Sequence, residues 1–87
     1  MTQATKMLLR VLLDEPGPLY GYDLCTKTGL PSGTIHPILA RLEKAGWLES
    51  FWEQVDEMRI VGRPRRRYYR LTNEGKQMAR ERLEAKR

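Results

Sequence analysis

Residues Gly29 to Leu48 read GLPSGTIHPILARLEKAGWL, and Gly62 to Thr72 read GRPRRRYYRLT. In the first stretch Ile35, Ile38, Leu39 and Leu42 recur at helical spacing, which commits one face of a helix to a core. Thr34, His36 and Arg41 fall on the opposite, polar side. Pro31, Ser32 and Gly33 turn the chain into this helix, with Ser32 as the expected N-cap, and Gly46 closes it. Pro37 is tolerable in a first turn, where backbone N–H groups lack intrahelical partners. The helix is therefore expected to begin near Gly33 or Thr34.

Upstream, Leu19 to Thr28 reads as a short second helix with Tyr20, Leu24 and Thr28 on one face, capped by Gly29. Two helices joined by a tight turn, the second polar at its start, give a helix-turn-helix. Before them, Thr2 to Glu15 places Ala4, Met7, Leu8, Val11 and Leu12 on one helical stripe, widened by Leu9 and Leu13. That helix must stop ahead of Pro16, and Pro16-Gly17-Pro18 forms the turn.

Downstream, Trp47, Leu48, Phe51 and Trp52 with intervening polar residues read as a strand, and Tyr68 to Leu71 as its returning partner. Tyr69 and Leu71 fall on one face of that second strand, Tyr68 and Arg70 on the other. The connection, Glu53 to Arg66, is a wing. Thr72 caps a last helix, Asn73 to about Lys86, with Met78, Ala79 and Leu83 as a thin apolar seam. The expected fold is α+β and mostly helical: a winged helix-turn-helix of three helices and a two-stranded wing over residues 1–72. The closing helix over 73–87 is the expected dimerisation element, because so short a helix needs a surface to pack on.

Eighty-seven residues suffice for one modest core. Net charge is +5 with a pI near 9.7, which argues for a polyanionic partner without specifying a fold. The charge is also sorted. Glu49 to Glu57 holds four acids and no base, whereas Arg59 to Arg70 holds six arginines and no acid. Blocks of one sign usually answer a partner.

Cys25 and His36 are each the single residue of their kind, so neither an internal disulfide nor a metal site is expected. No cofactor motif is present, and no nucleophile, base and orienting group converge in the pattern, which argues against an enzyme. No apolar run approaches the roughly 18 residues of a membrane span. The amino terminus has acids directly after its apolar stretch, unlike a signal peptide. A reducing, cytoplasmic setting is expected.

The motifs together resemble the PadR family of bacterial transcriptional regulators. LYGYDL, Leu19 to Leu24, is similar to the family's Leu-His-Gly-Tyr-Glu-Leu. SGTIHPILARLEKAGWLES, Ser32 to Ser50, resembles its Gly-Thr-Leu-Tyr-Pro with Leu-Arg-Arg-Leu-Glu and Gly-Leu after it. GRPRRRYYRLTNEGK, Gly62 to Lys76, is similar to its wing and following Thr-x-x-Gly. The chain departs from the pattern at His36, where tyrosine is usual, and at Tyr20, where histidine is usual. Its tail is also short beside the long carboxy-terminal helical region that builds the dimer and an effector pocket in many members. The resemblance implies a homodimeric repressor that reads a palindromic operator in double-stranded DNA and sometimes answers a small-molecule effector. It also implies a phosphate contact from the Tyr22 hydroxyl.

In such a protein the central helix enters the major groove by its amino-terminal turn, with two copies about 34 Å apart. Thr34 and His36 are placed for bases or phosphates, and Ser32 with the first-turn N–H groups for a phosphate or as a simple cap. Arg41 has a phosphate or a surface acid as its partner. Arg63, Arg65, Arg66 and Arg67 suit a narrow minor groove or phosphates, with two or three facing DNA because side chains alternate along a strand. They could instead answer the acids of Glu49 to Glu57 across the hairpin. Leu24, Ile35, Ile38, Leu39, Leu42, Trp47 and Leu71 are expected in the core. Tyr20 is as consistent with core as with surface, and Trp47, Trp52, Tyr68 and Tyr69 suit core or subunit contact better than single-strand stacking. A basic architectural or protein/RNA-interaction module is the alternative to a repressor.

Overall fold

A computed structural model describes residues 1–54 and 62–84. The chain runs α1 (Gln3–Asp14), β1 (Leu19–Tyr20), α2 (Gly21–Thr28), α3 (Ser32–Lys44), β2 (Leu48–Trp52), β3 (Arg67–Leu71) and α4 (Asn73–Glu84). All three strands join one antiparallel sheet in the order β1-β3-β2. This is the expected winged helix-turn-helix with its closing helix. The acidic stretch from Val55 onward, Arg59 and the last turn towards Lys86 lie outside the described residues.

Local chemistry accounts for the helix ends. The Thr2 hydroxyl accepts from the Thr5 N–H at 3.2 Å and starts α1. Gly46, at φ 85°, ends α3 in a complete Schellman closure. Its N–H donates to Glu43 O at 3.1 Å, and that of Trp47 to Leu42 O at 3.0 Å.

Three expectations about the elements are corrected. Leu19 and Tyr20 are not helical: they pair with Tyr69 and Tyr68 and add an edge strand to the wing sheet. Two residues are too short for a period-2 pattern to show, so a helical reading absorbed them. Ser32 is the first helical residue rather than the cap. Pro31 holds the N-cap position, in extended backbone and without a side-chain bond. Pro37 consequently lies at the sixth helical position, beyond the first turn, where α3 forgoes the backbone bond to Gly33 O.

The core is one cluster. Leu8, Leu9 and Leu12 of α1 meet Leu24 of α2, Ile35, Ile38, Leu39 and Leu42 of α3, and Ala79 of α4. Leu19, Leu48, Tyr69 and Leu71 supply the sheet's inner face. Trp47 departs from expectation. It is half-buried at the edge, with the Arg82 guanidinium 5.6 Å from its ring centroid.

Helix α4 is fixed where it begins. The Thr72 N–H donates to Trp47 O at 2.9 Å, its hydroxyl donates to Gly46 O at 2.8 Å, and the Gly75 N–H donates to that hydroxyl at 2.9 Å. The turn after α3 and the first turn of α4 thus hold each other in place, and α4 packs back on α1 of the same chain.

Candidate nucleic-acid interface

Burying Ile35, Ile38, Leu39 and Leu42 leaves Ser32, Thr34, His36 and Arg41 exposed along the outside of α3. The start of α2 lies beside them. The His36 Cε1 is 3.8 Å from where a Cβ of Gly21 would sit, so His36 lies over the α2 amino terminus. Tyr22, in the first turn of α2, is 66% exposed. The Asp23 carboxylate accepts from the Tyr20 N–H at 3.4 Å, which helps to seat that helix end.

The four wing arginines are not equivalent. Arg63 forks onto Glu53, with its two terminal nitrogens 3.0 and 3.1 Å from the two carboxylate oxygens. The same carboxylate accepts from the Arg66 N–H at 3.1 Å. The Arg63 hydrogen bond, then the Arg66 backbone bond, hold the Glu53 carboxyl below the ordinary carboxylate range, and Glu53 in turn raises Arg63. Because its folded-state pKa is depressed, Glu53 stabilises the hairpin above the ordinary carboxylate pKa. That contribution disappears as pH falls through the depressed value. Thermal unfolding followed from neutral pH to about pH 3 should show this loss in the native protein and its absence in Glu53→Gln.

Arg67 points to the inner side of the sheet. Its guanidinium lies 4.9 Å from the Trp52 ring centroid and donates to the Ser50 hydroxyl at 2.8 Å. That hydroxyl donates to Glu43 on α3 at 2.6 Å, and Arg67 is itself 4.0 Å from Glu43. A brace of three side chains therefore ties the outer flank of α3 to the wing.

Arg66 points to the other side, its guanidinium 4.3 Å from the Tyr20 ring centroid. Arg70, on the same face beyond Tyr68, pairs with Glu49 at 2.7 Å. Arg65 is exposed and shares a shallow cavity of about 260 Å³ with Trp52. Among the described residues neither Arg65 nor Arg41 has a carboxylate within 4.0 Å.

Pattern reading anticipated the exposed helix face and the basic wing; pairing of the arginines with acids of the opposite strand was the alternative to a DNA contact, and Arg63–Glu53 and Arg70–Glu49 are such pairs. It did not find the brace, because Glu43, Ser50 and Arg67 meet only once the strand register is known. Tyr20 is neither core nor free surface: it is half-buried on the sheet's outer face. Among the described residues no cluster of metal-ligating side chains occurs, and no helix is long and apolar enough to cross a membrane.

Residues 8–81 match the family model described as the transcriptional regulator PadR-like family. An uncharacterized HTH-type transcriptional regulator of Bacillus subtilis (strain 168), YcgE, is 38% identical over 50 residues, which are 58% of this chain and 32% of that protein. A PadR family transcription regulator from Clostridium difficile R20291 superposes with a TM-score of 0.76 at 26% identity, over 94% of this chain and 84% of that one. AbfR of Staphylococcus epidermidis superposes at 0.77 with 26% identity, over 99% of this chain and 53% of that one. The chain thus spans about a third of YcgE and about half of AbfR. A winged helix braced to its wing and a family match from α1 to α4 lead to one assignment: this chain belongs to the PadR-like family of transcriptional regulators.

Proposed function

We propose that the chain is a sequence-specific, double-stranded-DNA-binding transcriptional repressor that acts in the cytoplasm as a homodimer on a palindromic operator. One observation carries the reading: α3 presents Ser32, Thr34, His36 and Arg41 on its exposed face, and the Glu43–Ser50–Arg67 brace ties that helix to the arginine-rich wing. The amino-terminal turn of α3 enters the major groove, where Thr34 and His36 face base edges. Ser32 and the free N–H groups of that turn take a phosphate, as does Tyr22. Arg41 meets the backbone further along, and the wing offers two or three of Arg63, Arg65, Arg66 and Arg67, because Arg66 and Arg67 point to opposite faces of the sheet.

The dimer uses α1 and α4. They pack together within the chain, yet Ala4, Val11, Leu13 and Leu83 are only partly covered. A second copy would complete their burial. A small-molecule effector would have room in the cleft of about 600 Å³ between the end of α1, the sheet edge and α4, lined by Leu12, Leu13, Arg70, Lys76 and Arg80 among others. The role is regulatory rather than enzymatic, in keeping with the family, and needs no cofactor.

Fluorescence-anisotropy titration tests the reading, with duplex from the gene's own upstream region against scrambled duplex at two salt concentrations. The expected result is binding to the upstream duplex at least about 10³-fold tighter, falling steeply with salt. Equal, weak binding to both would sink the autoregulated repressor and favour an architectural or protein/RNA-interaction role.

A further inference from the structure

The wing sheet has a second face. Pairing of Leu19 with Tyr69 and of Tyr20 with Tyr68 buries the first pair and turns the second outward, and Phe51 of β2 stands opposite Tyr68. Four rings then form a row. Centroids are 6.2 Å apart from Tyr22 to Tyr20, 5.6 Å from Tyr20 to Tyr68, and 5.9 Å from Tyr68 to Phe51. The row begins in the first turn of α2, where His36 reaches over Gly21, so it is continuous with the outer face of α3.

Cations are set into this row. The Arg66 guanidinium lies over Tyr20, and that of Arg70 lies 5.4 Å from the Phe51 ring centroid. Two acids share the face. Glu53 is engaged by Arg63 and the Arg66 N–H, and Glu49 by Arg70. Arg63, Arg66 and Arg70 outnumber them by one.

Cross-strand aromatic pairs stabilise a sheet by packing alone. Packing alone does not call for phenols, yet three of the four rings carry a hydroxyl. It also does not call for exposure, and Tyr22 and Phe51 at the two ends are 66% and 38% exposed. Phenol O–H and guanidinium N–H are donors in search of acceptors, and a guanidinium laid flat on a ring presents its N–H edge sideways. We propose that this face, with Tyr20, Tyr22 and Tyr68 beside Arg63 and Arg66, grips the sugar–phosphate backbone of duplex DNA next to the groove that α3 enters. The assignment rests on the DNA-binding reading above. It adds Tyr20 and Tyr68 to the contact surface, and it makes this face a sequence-independent grip that fixes register while α3 reads bases.

The test is anisotropy titration of the whole chain carrying Tyr20→Phe with Tyr68→Phe, and separately Arg66→Gln, on upstream and scrambled duplexes over a range of salt. Tyrosine-to-phenylalanine exchange keeps the rings and their packing, and thermal unfolding verifies the fold. The paired phenylalanine variant should lose about five- to tenfold in affinity for both duplexes equally, with an unchanged salt slope, because phenols carry no charge to displace counterions. Arg66→Gln should also weaken both, and should reduce the slope by about one.

Native affinity in both variants, while Arg65→Ala is impaired, would overturn the grip and leave the repressor reading intact. Loss confined to the upstream duplex would overturn it in favour of base contacts. Tighter binding to single strands than to duplex, unaffected by the phenylalanine exchanges, would overturn it in favour of ring stacking. Native protein that binds no duplex would overturn both readings together.

Discussion

Replacing Gly75 with alanine is expected to destabilise the protein by about 3 kcal/mol and lower its Tm by about 15 °C. A Cβ built at Gly75 falls onto the carbonyl group of Trp47, with the Trp47 Cα 2.9 Å away. The obstacle is backbone and cannot swing aside. Nor can α4 retreat freely, since the Thr72 N–H and hydroxyl hold Trp47 O and Gly46 O. At an open helical position the same exchange would gain up to about 1 kcal/mol from alanine's helix propensity. The overlap reverses the sign. Circular dichroism at rising temperature decides the matter: a Tm unchanged or raised by Gly75→Ala would mean that the two turns can separate without cost.

The second large effect is expected at Arg65. Arg65→Ala should weaken binding to the specific duplex by about 30-fold, equivalent to about 2 kcal/mol, and leave Tm unchanged. The reason is its isolation: among the described residues it has no carboxylate partner within 4.0 Å, so none of them loses an ion pair when it is truncated. Arg67→Ala should behave differently, lowering affinity and Tm together, because it removes a donor from Ser50 and the cation beside Glu43. Parallel titration and unfolding of the two variants separates the roles. Equal Tm losses would show that Arg65 is structural after all.

The contrast between these arginines shows what the sequence could and could not convey. Helix periodicity exposed the α3 stripe because Ile35, Ile38, Leu39 and Leu42 repeat a local geometry that every helix obeys. The basic wing was legible for a similar reason, as a run of one charge. Which arginine is engaged was not legible. That depends on the pairing of Phe51 with Tyr68 and of Trp52 with Arg67, and a shift of one residue would exchange the faces. Edge strand β1 escaped because its two residues form a strand only when β3 lies alongside. Trp47 misled because its type favours burial, whereas its position after Gly46 puts it at the rim beneath Arg82.

The brace through Glu43, Ser50 and Arg67 has a consequence for the DNA itself. With β2, β3 and α3 joined at that point, the spacing between the base of the wing and α3 is set within the protein. On the DNA-binding reading proposed above, the molecule would act as a calliper: sites whose twist and groove width match the set gap would be gripped at both jaws, and sites that deviate would have to deform to fit. Selection of this kind would extend to base pairs that no side chain touches.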